Sequence, residues 1–283
     1  MSLRKTKEFV GFAILRLATF LILSALFIIL YFISIRGIKV MNWQFLTQMP
    51  CEGMTAGGIL PAILGTFYLT LCAICFSLPL GIAAAIYLTE YAKEGRLVRV
   101  IRIGINNLAG VPSIVFGLFG LAIFVKYFGF GVSILSGGLT LGILILPTII
   151  RASEEALLAV PRSLREASLA LGATKWQTIY RVVLPNSISG ILTGSILGIG
   201  RAAGETAPIL FTAVTFYSAR LPASIFSEVQ ALPYHIYALM TEGTHPETQV
   251  PIAYGTALVL LFLVLGIDLV AIVIRKRARR KKW

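Results

Sequence analysis

Ser163-Leu-Arg-Glu-Ala-Ser-Leu-Ala-Leu-Gly172-Ala-Thr-Lys-Trp-Gln-Thr-Ile-Tyr-Arg-Val-Val-Leu-Pro185 packs two helical patterns into one short stretch. Ser163 and Glu166 have capping-box spacing. Leu164, Ala167, Ser168 and Leu171 then recur at i, i+3, i+4 and i+7, which is one face of a short helix. Gly172 supplies the left-handed turn that ends it. Thr174 and Gln177 repeat the capping spacing, and Trp176, Ile179, Tyr180 and Val183 form a second apolar stripe. Pro185 is expected to stop that stripe, because it lacks an N–H. The connection runs over 151–185, between apolar runs at 132–150 and 186–216. Two short amphipathic helices between two long apolar runs lie at a membrane surface. The plain reading is a hairpin covering one end of a bundle.

Outward from this loop, six segments have the length and apolarity to cross a bilayer: 9–35, 60–89, 103–125, 132–150, 186–216 and 251–274. The whole chain of 283 residues is 57% hydrophobic and 13% charged, with a mean hydropathy of +0.88. A soluble domain carries about a quarter charged residues, so lipid is the solvent for most of this surface. The apolar run after Arg4, Lys5 and Lys7 is too long for a signal peptide and lacks a small-residue cleavage site, so it reads as a first span.

Of 25 Lys and Arg residues, most fall on one side of this topology. They are Arg4, Lys5, Lys7, Lys93, Arg96, Arg99, Arg102, Arg151, Arg162, Arg165, Lys175, Arg181, Arg275, Lys276, Arg277, Arg279, Arg280, Lys281 and Lys282. The opposite side holds Arg36, Lys39, Lys126 and Arg220. Positive-inside bias therefore places both termini and the 151–185 loop in the cytoplasm. The net charge of +13 is then topology and lipid-headgroup contact, not a nucleic-acid surface.

Span five carries Arg201 and Glu205, four apart on one helical face. Gly190, Gly194, Gly198 and Ala202 recur every four residues. At 100° per residue Glu205 lies within about 20° of Gly198 and Arg201 about 60° away. The pair thus sits on or beside a small-residue stripe of the kind that lets helices approach, and faces away from lipid. Two readings stand. The pair neutralises itself as a packing element, or Arg201 presents its forked donor to an oxyanion while Glu205 holds it.

Other features carry less. Arg151 reads first as a positive-inside anchor. Asn106, Asn107, Gly110 and Pro112 in span three mark either a pathway-lining segment or a packing kink. Asp268 is near enough to Arg275 in sequence to pair with it. Cys72 and Cys75 lie in an apolar run without neighbouring ligands, and His235 and His245 lack a third ligand, so neither set reads as a metal site. A short interfacial helix is expected around Tyr234 and Tyr237. No G-x-x-x-x-G-K-[ST] phosphate cradle occurs.

Glu166-Ala-Ser168, Gly172 and Val182-Val-Leu184-Pro185 resemble the E-A-A…G…I-x-L-P loop of ABC importer permeases. Ser168 stands for the second alanine and Val182 for the isoleucine. Gly200-Arg-Ala-Ala-Gly-Glu-Thr-Ala-Pro208 and Leu108-Ala-Gly-Val-Pro-Ser-Ile-Val-Phe-Gly-Leu-Phe-Gly120 resemble phosphate-specific members. Glu-Thr-Ala-Pro is closer to the PstA-type subunit than to its PstC-type partner. The resemblance covers about 60–275.

It implies an all-α integral membrane chain of type I ABC importer permease fold, multi-pass in a bacterial inner membrane. Residues 163–185 would be the coupling loop for a separate ATPase. Arg201, Glu205 and, more weakly, Arg151 would lie on the phosphate path. The implied partners are a PstC-type second permease, two ATPase subunits and a phosphate-binding protein, with no cofactor on this chain. A permease for sulfate, molybdate or phosphonate is the nearest alternative. A secondary transporter or channel leaves the capped loop without a purpose. An intramembrane enzyme needs a convergent nucleophile and base, and no histidine lies within a span.

Overall fold

The computed structural model describes residues 3–93, 95–217 and 220–280, with side chains described between 8 and 277. The basic residues Arg4, Lys5, Lys7, Arg279, Arg280, Lys281 and Lys282, part of the charge argument above, lie outside the described side chains.

The chain begins with α1 (Leu3–Gly37), a short α2 (Trp43–Thr47), and a two-residue antiparallel ladder of β1 (Pro50–Cys51) with β2 (Ala56–Gly57). Helices α3 (Leu60–Ile86), α4 (Arg96–Leu108), α5 (Ser113–Gly120) and α6 (Ile134–Leu158) follow. The loop then supplies α7 (Arg162–Ala170) and α8 (Lys175–Thr178). The chain ends with α9 (Leu184–Gly204), α10 (Ala207–Leu210), α11 (Leu232–Thr241) and α12 (Pro246–Arg280). Three π-helical stretches prolong or join these helices: Tyr87–Tyr91 after α3, Leu121–Tyr127 after α5, and Ile179–Val183 between α8 and α9. Among the described residues, five helical stretches are long and apolar enough to cross a membrane, or six where the bent pair Arg96–Leu108 and Ser113–Tyr127 is counted as one span.

Helix α6 is the centre. Two thirds of its most apolar window is buried, against none of α1's. Glycines bring its neighbours close. A Cβ at Gly138 would fall 2.4 Å from Cys72 Sγ on α3, and one at Gly81 2.6 Å from Ile149 Cγ2. On the other flank, a Cβ at Gly190 would meet Ala156 at 2.5 Å and one at Gly194 would meet Ala152 at 2.1 Å. The small-residue stripe of span five thus lies against α6, and Cys72 is part of the packing. Such close approach supplies the dispersion contacts that associate helices where lipid removes the hydrophobic drive.

Span three is not one helix. The run over 103–125, where Gly110 and Pro112 mark a lining segment or a packing kink, is broken at 109–112, and Arg96–Leu108 meets Ser113–Tyr127 at 105°. Pro112 disfavours helical geometry at Val111 before it. Gly110 N–H instead donates to Asn107 O at 3.0 Å, closing a tight turn. Helix α4 carries Arg96, Arg99 and Arg102 on one side, while Leu97 and Val100 are exposed on another. That pattern belongs to a helix lying along an interface.

Span five likewise ends early, at Gly204 instead of running to 216. The Pro208 ring would meet the carbonyl four residues back, on Gly204, and Glu205 turns extended at φ −78°, ψ 132°. The chain then folds back over the N-terminus of α6. There Ser133, Ile134 and Leu135 N–H groups donate to the carbonyls of Thr212, Ser227 and Ile225 at 2.9–3.0 Å. These are donors a helix cannot satisfy internally. Thr66 Oγ1 on α3 accepts from Leu232 N–H at 2.8 Å, tying α11 down.

Helix α11 is the short helix expected near Tyr234; one face of it is buried, while Tyr237 and Met240 stay exposed. His235 is 3% exposed with no hydrogen-bond partner on either ring nitrogen among the described residues. Burial pushes its imidazole down to about 4, which keeps it neutral. At the far edge, Arg36 of α1 donates to the Tyr254 hydroxyl of α12 at 3.1 Å and stacks 5.0 Å over its ring.

The α6–α9 seam makes a direct prediction. Gly194→Val inserts atoms where Ala152 already sits and should destabilise the protein by about 1–3 kcal/mol. Gly104→Ala on α4, with nothing within 4 Å, should be neutral or slightly stabilising. Thermal melts of the detergent-solubilised variants compare the two.

Candidate functional site

The α6–α9 seam sets the depth of the charged pair. The helices run antiparallel with Gly190 against Ala156, Gly194 against Ala152 and Gly198 against Ile149. The same register places Arg201 opposite Ile145 and Glu205 opposite Leu141, near the middle of α6. Glu205 and Leu141 do line one small cavity, together with Thr66, Thr70 and Ala202.

Arg201 Nε donates to Glu205 Oε1 at 3.3 Å. The bond through Nε leaves the Nη fork without an acceptor among the described residues. The Arg201 side chain is 39% exposed, that of Glu205 19%, so the acid anchors and the guanidinium faces outward. Arg201 also sits in the last turn of α9, where the helix dipole favours a cation. A forked donor held on one edge, open on the other and at mid-depth is equipped to take a tetrahedral or planar oxyanion.

The broken third span packs on the same region. A Cβ at Gly117 of α5 would fall 2.9 Å from Ala207 O, and one at Gly120 would fall 2.1 Å from Thr140 Oγ1. The stretches 108–120 and 200–208 are therefore neighbours. Arg151 is elsewhere: its Nη2 donates to Asn106 Oδ1 of α4, and Arg102 pairs with Glu154 at 3.2 Å. Those bonds pin α4 across α6 and explain Asn106. Asp268 does not pair with Arg275, which instead donates to Thr193 Oγ1 at 3.1 Å. The Asp268 carboxylate faces α9, where a Cβ on Gly200 would stand 3.7 Å from Oδ2. It is thus a neighbour of Arg201's turn. Only the contact between α12 and α9 reveals it, since no local pattern joins residues so far apart in the chain.

The loop departs from expectation in three ways. Ser163 caps nothing: α7 starts at Arg162 behind Pro161, without a side-chain cap. Pro161 φ is −57°, a value its ring fixes, and Leu164 N–H bonds Pro161 O at 3.3 Å. Pro185 does not stop the second helix either. The π-turn at 179–183 precedes it, and Lys175–Gly204 is one helical stretch; a wider turn relieves the clash of the ring with the preceding carbonyls. The apolar face of α7 is not buried: Leu171 is 89% exposed and Leu164 41%.

Two other features form as expected. Thr174 and Gln177 make a reciprocal capping box. Gly172 adopts φ +85°, with its N–H on Leu169 O and that of Ala173 on Ser168 O, the two bonds of a Schellman motif.

What does hold α7 is polar. Arg165 Nη2 lies 2.9 Å from Glu90 Oε1, and Ser168 Oγ lies 2.9 Å from Thr178 Oγ1. Trp176 and Tyr180 stack, both exposed, while Ile179 and Val183 are buried.

A bundle of apolar helices with a charged pair at mid-depth and a polar-anchored helical loop at one end is an integral membrane transport component. The chain belongs to the family of binding-protein-dependent transport system inner membrane components, which matches residues 77–280. Among its relatives, the probable ABC transporter permease protein YqgI of Bacillus subtilis (strain 168) is 36% identical over 262 residues, spanning 88% of this chain and 89% of its own. Phosphate transport system permease protein PstA 1 of Mycobacterium tuberculosis (strain CDC 1551 / Oshkosh) is 42% identical over 229 residues, 80% of this chain and 73% of its own. Among solved structures, a chain of a bacterial alginate ABC transporter superposes with a TM-score of 0.68 at 16% identity, over 94% of this chain and 93% of its own. A chain of the MetNI methionine ABC transporter in an inward-facing conformation gives 0.60 at 20% identity, over 78% of this chain and 94% of its own. These two share the fold.

Capping in the loop is testable. Thr174→Ala should cost about 1 kcal/mol and raise hydrogen exchange of the 175–178 amides, whereas Ser163→Ala should change neither. Equal effects at the two positions would contradict the observed caps.

Proposed function

We propose that the chain is the permease subunit of an ATP-driven inorganic phosphate importer. The 42% identity to a phosphate transport system permease over four fifths of this chain carries this reading, and the Arg201–Glu205 pair at mid-depth supplies its chemistry. Arg201 offers Nη donors to phosphate oxygens, and Glu205 holds the guanidinium through Nε. Both termini and the 151–185 loop face the cytoplasm, because Arg96, Arg99, Arg102, Arg151, Arg162, Arg165, Lys175 and Arg181 gather at the loop end.

A second, PstC-type permease completes the path at the face that Arg201 leaves open. Of two ATPase subunits in the complex, one docks on the exposed face of α7, where Leu164, Glu166, Ala167 and Leu171 remain uncovered. A phosphate-binding protein delivers cargo on the opposite side. ATP hydrolysis resides on the ATPase subunits, and this chain breaks no bond. Arg151, bound to Asn106, acts as a brace of α4 on this reading.

Uptake of labelled phosphate by proteoliposomes holding the full complex tests the site. Arg201→Gln should abolish uptake, and Arg201→Lys should retain only a fraction, because an ammonium cannot reproduce the fork. Wild-type uptake in both would overturn the assignment. For the loop, Gly172→Pro cannot adopt φ +85° and Glu166→Lys reverses a charge on α7. Each should release the ATPase subunit or halt uptake, and retention of both functions would remove the loop from the mechanism.

A further inference from the structure

Arg165 makes four hydrogen bonds from the five N–H donors of its guanidinium. Nε and Nη2 donate to Glu90 Oε1 at 3.2 and 2.9 Å. Nη2 also donates to Leu157 O at 2.8 Å, and Nη1 to Val160 O at 2.5 Å. The two side chains are 17% and 12% exposed. Leu157 and Val160 lie at the C-terminus of α6, where the dipole favours a cation. Glu90 lies in the π-turn that ends the α3 span. One residue of α7 therefore joins two spans whose acidic and carbonyl groups lie far apart in sequence.

Val160, just ahead of α7, is buried against Ala85 of α3 and Leu157 of α6, but α7 itself adds no buried apolar side chain to that joint. Helix α7 has nine residues, too few to be stable alone. None of its residues is buried, and Leu164, Leu169 and Leu171 are exposed. Its other side-chain tie, Ser168 to Thr178, runs toward α8 and the α9 span. Among the described residues of α7, Arg165 is the side chain bonded to both α6 and the end of the α3 span.

We infer that Arg165, clamped on Glu90 and the terminal carbonyls of α6, is the positioning residue that converts displacement of α7 into displacement of the α3–α6 core. This rests on the ATP-coupled reading above. An ATPase docked on α7 without this clamp turns over against a loose helix. Its stroke is absorbed by the loop, and the bundle stays where it is. The clamp therefore governs phosphate moved per ATP and leaves docking intact.

The test uses the complete complex in proteoliposomes, with ATP hydrolysis and labelled inorganic phosphate uptake measured together. Arg165→Met should co-purify with the ATPase subunit at wild-type yield and still hydrolyse ATP, while phosphate imported per ATP falls about tenfold. Glu90→Gln keeps an acceptor without the charge, and Arg165→Lys keeps the charge without the fork; both should fall between. With Cys51, Cys72 and Cys75 replaced by Ala, the pair Arg165→Cys and Glu90→Cys should be uncoupled until a short bifunctional thiol reagent bridges it, and should then regain coupling.

Wild-type phosphate per ATP in Arg165→Met would overturn the inference. So would loss of the ATPase subunit from both Arg165→Met and Glu90→Gln, or a bridged double-cysteine protein that stays uncoupled. Absence of ATP-driven phosphate uptake in the wild-type complex would instead strike the functional reading itself.

Discussion

Close approach of α9 to α6 is the contact on which the rest depends. Gly190 and Gly194 meet Ala156 and Ala152 at distances that exclude any side chain, so the two helices cannot slide without collision. That register alone fixes Arg201 and Glu205 near the middle of α6. In hydrocarbon a guanidinium at this depth is costly, and the structure offsets part of the cost with Glu205 and the C-terminal dipole of α9. The remaining donors are open. A purely structural pair would be expected to use them.

Two devices keep the irregular backbone around the pair satisfied. The chain after Glu205 returns over α6 and lends its carbonyls to Ser133, Ile134 and Leu135. Helix α5 brings Gly117 against the Ala207 carbonyl, so broken helix packs on broken helix. Non-helical backbone is tolerated in a membrane protein when other protein surrounds it in this way. At the loop end the logic reverses. Helix α7 leaves its apolar face exposed and is held by an ion pair and hydrogen bonds.

Much of this is readable in the sequence, and the misses share a cause. The apolar runs, the basic loop, the Thr174 cap, the turn at Gly172 and the i, i+4 pairing of Arg201 with Glu205 are local, and local patterns carry them. Hydropathy merges α4 with α5: Asn106, Asn107, Gly110 and Pro112 mark an interruption of the run, but no local pattern gives the 105° between the two helices. Ser163 has the spacing of a cap, but Pro161 sets the helix start ahead of it. Pro185 has the chemistry of a stop, but periodicity does not register a π-turn that absorbs the ring. Arg165 with Glu90, and Asp268 with α9, join residues far apart in the chain, and nothing in a single sequence pairs them.

The most direct test of the central claim concerns which solvent the Arg201 face meets. Gly204 is exposed, and a Cβ there would meet nothing within 4 Å. Gly204→Cys in a background free of other cysteines therefore places a thiol one turn from Arg201 without disturbing packing. In the full complex, a membrane-impermeant thiol reagent should label that cysteine, and inorganic phosphate should slow the labelling. Labelling only by lipid-soluble reagents, at a rate phosphate leaves unchanged, would place this face against lipid and contradict the account.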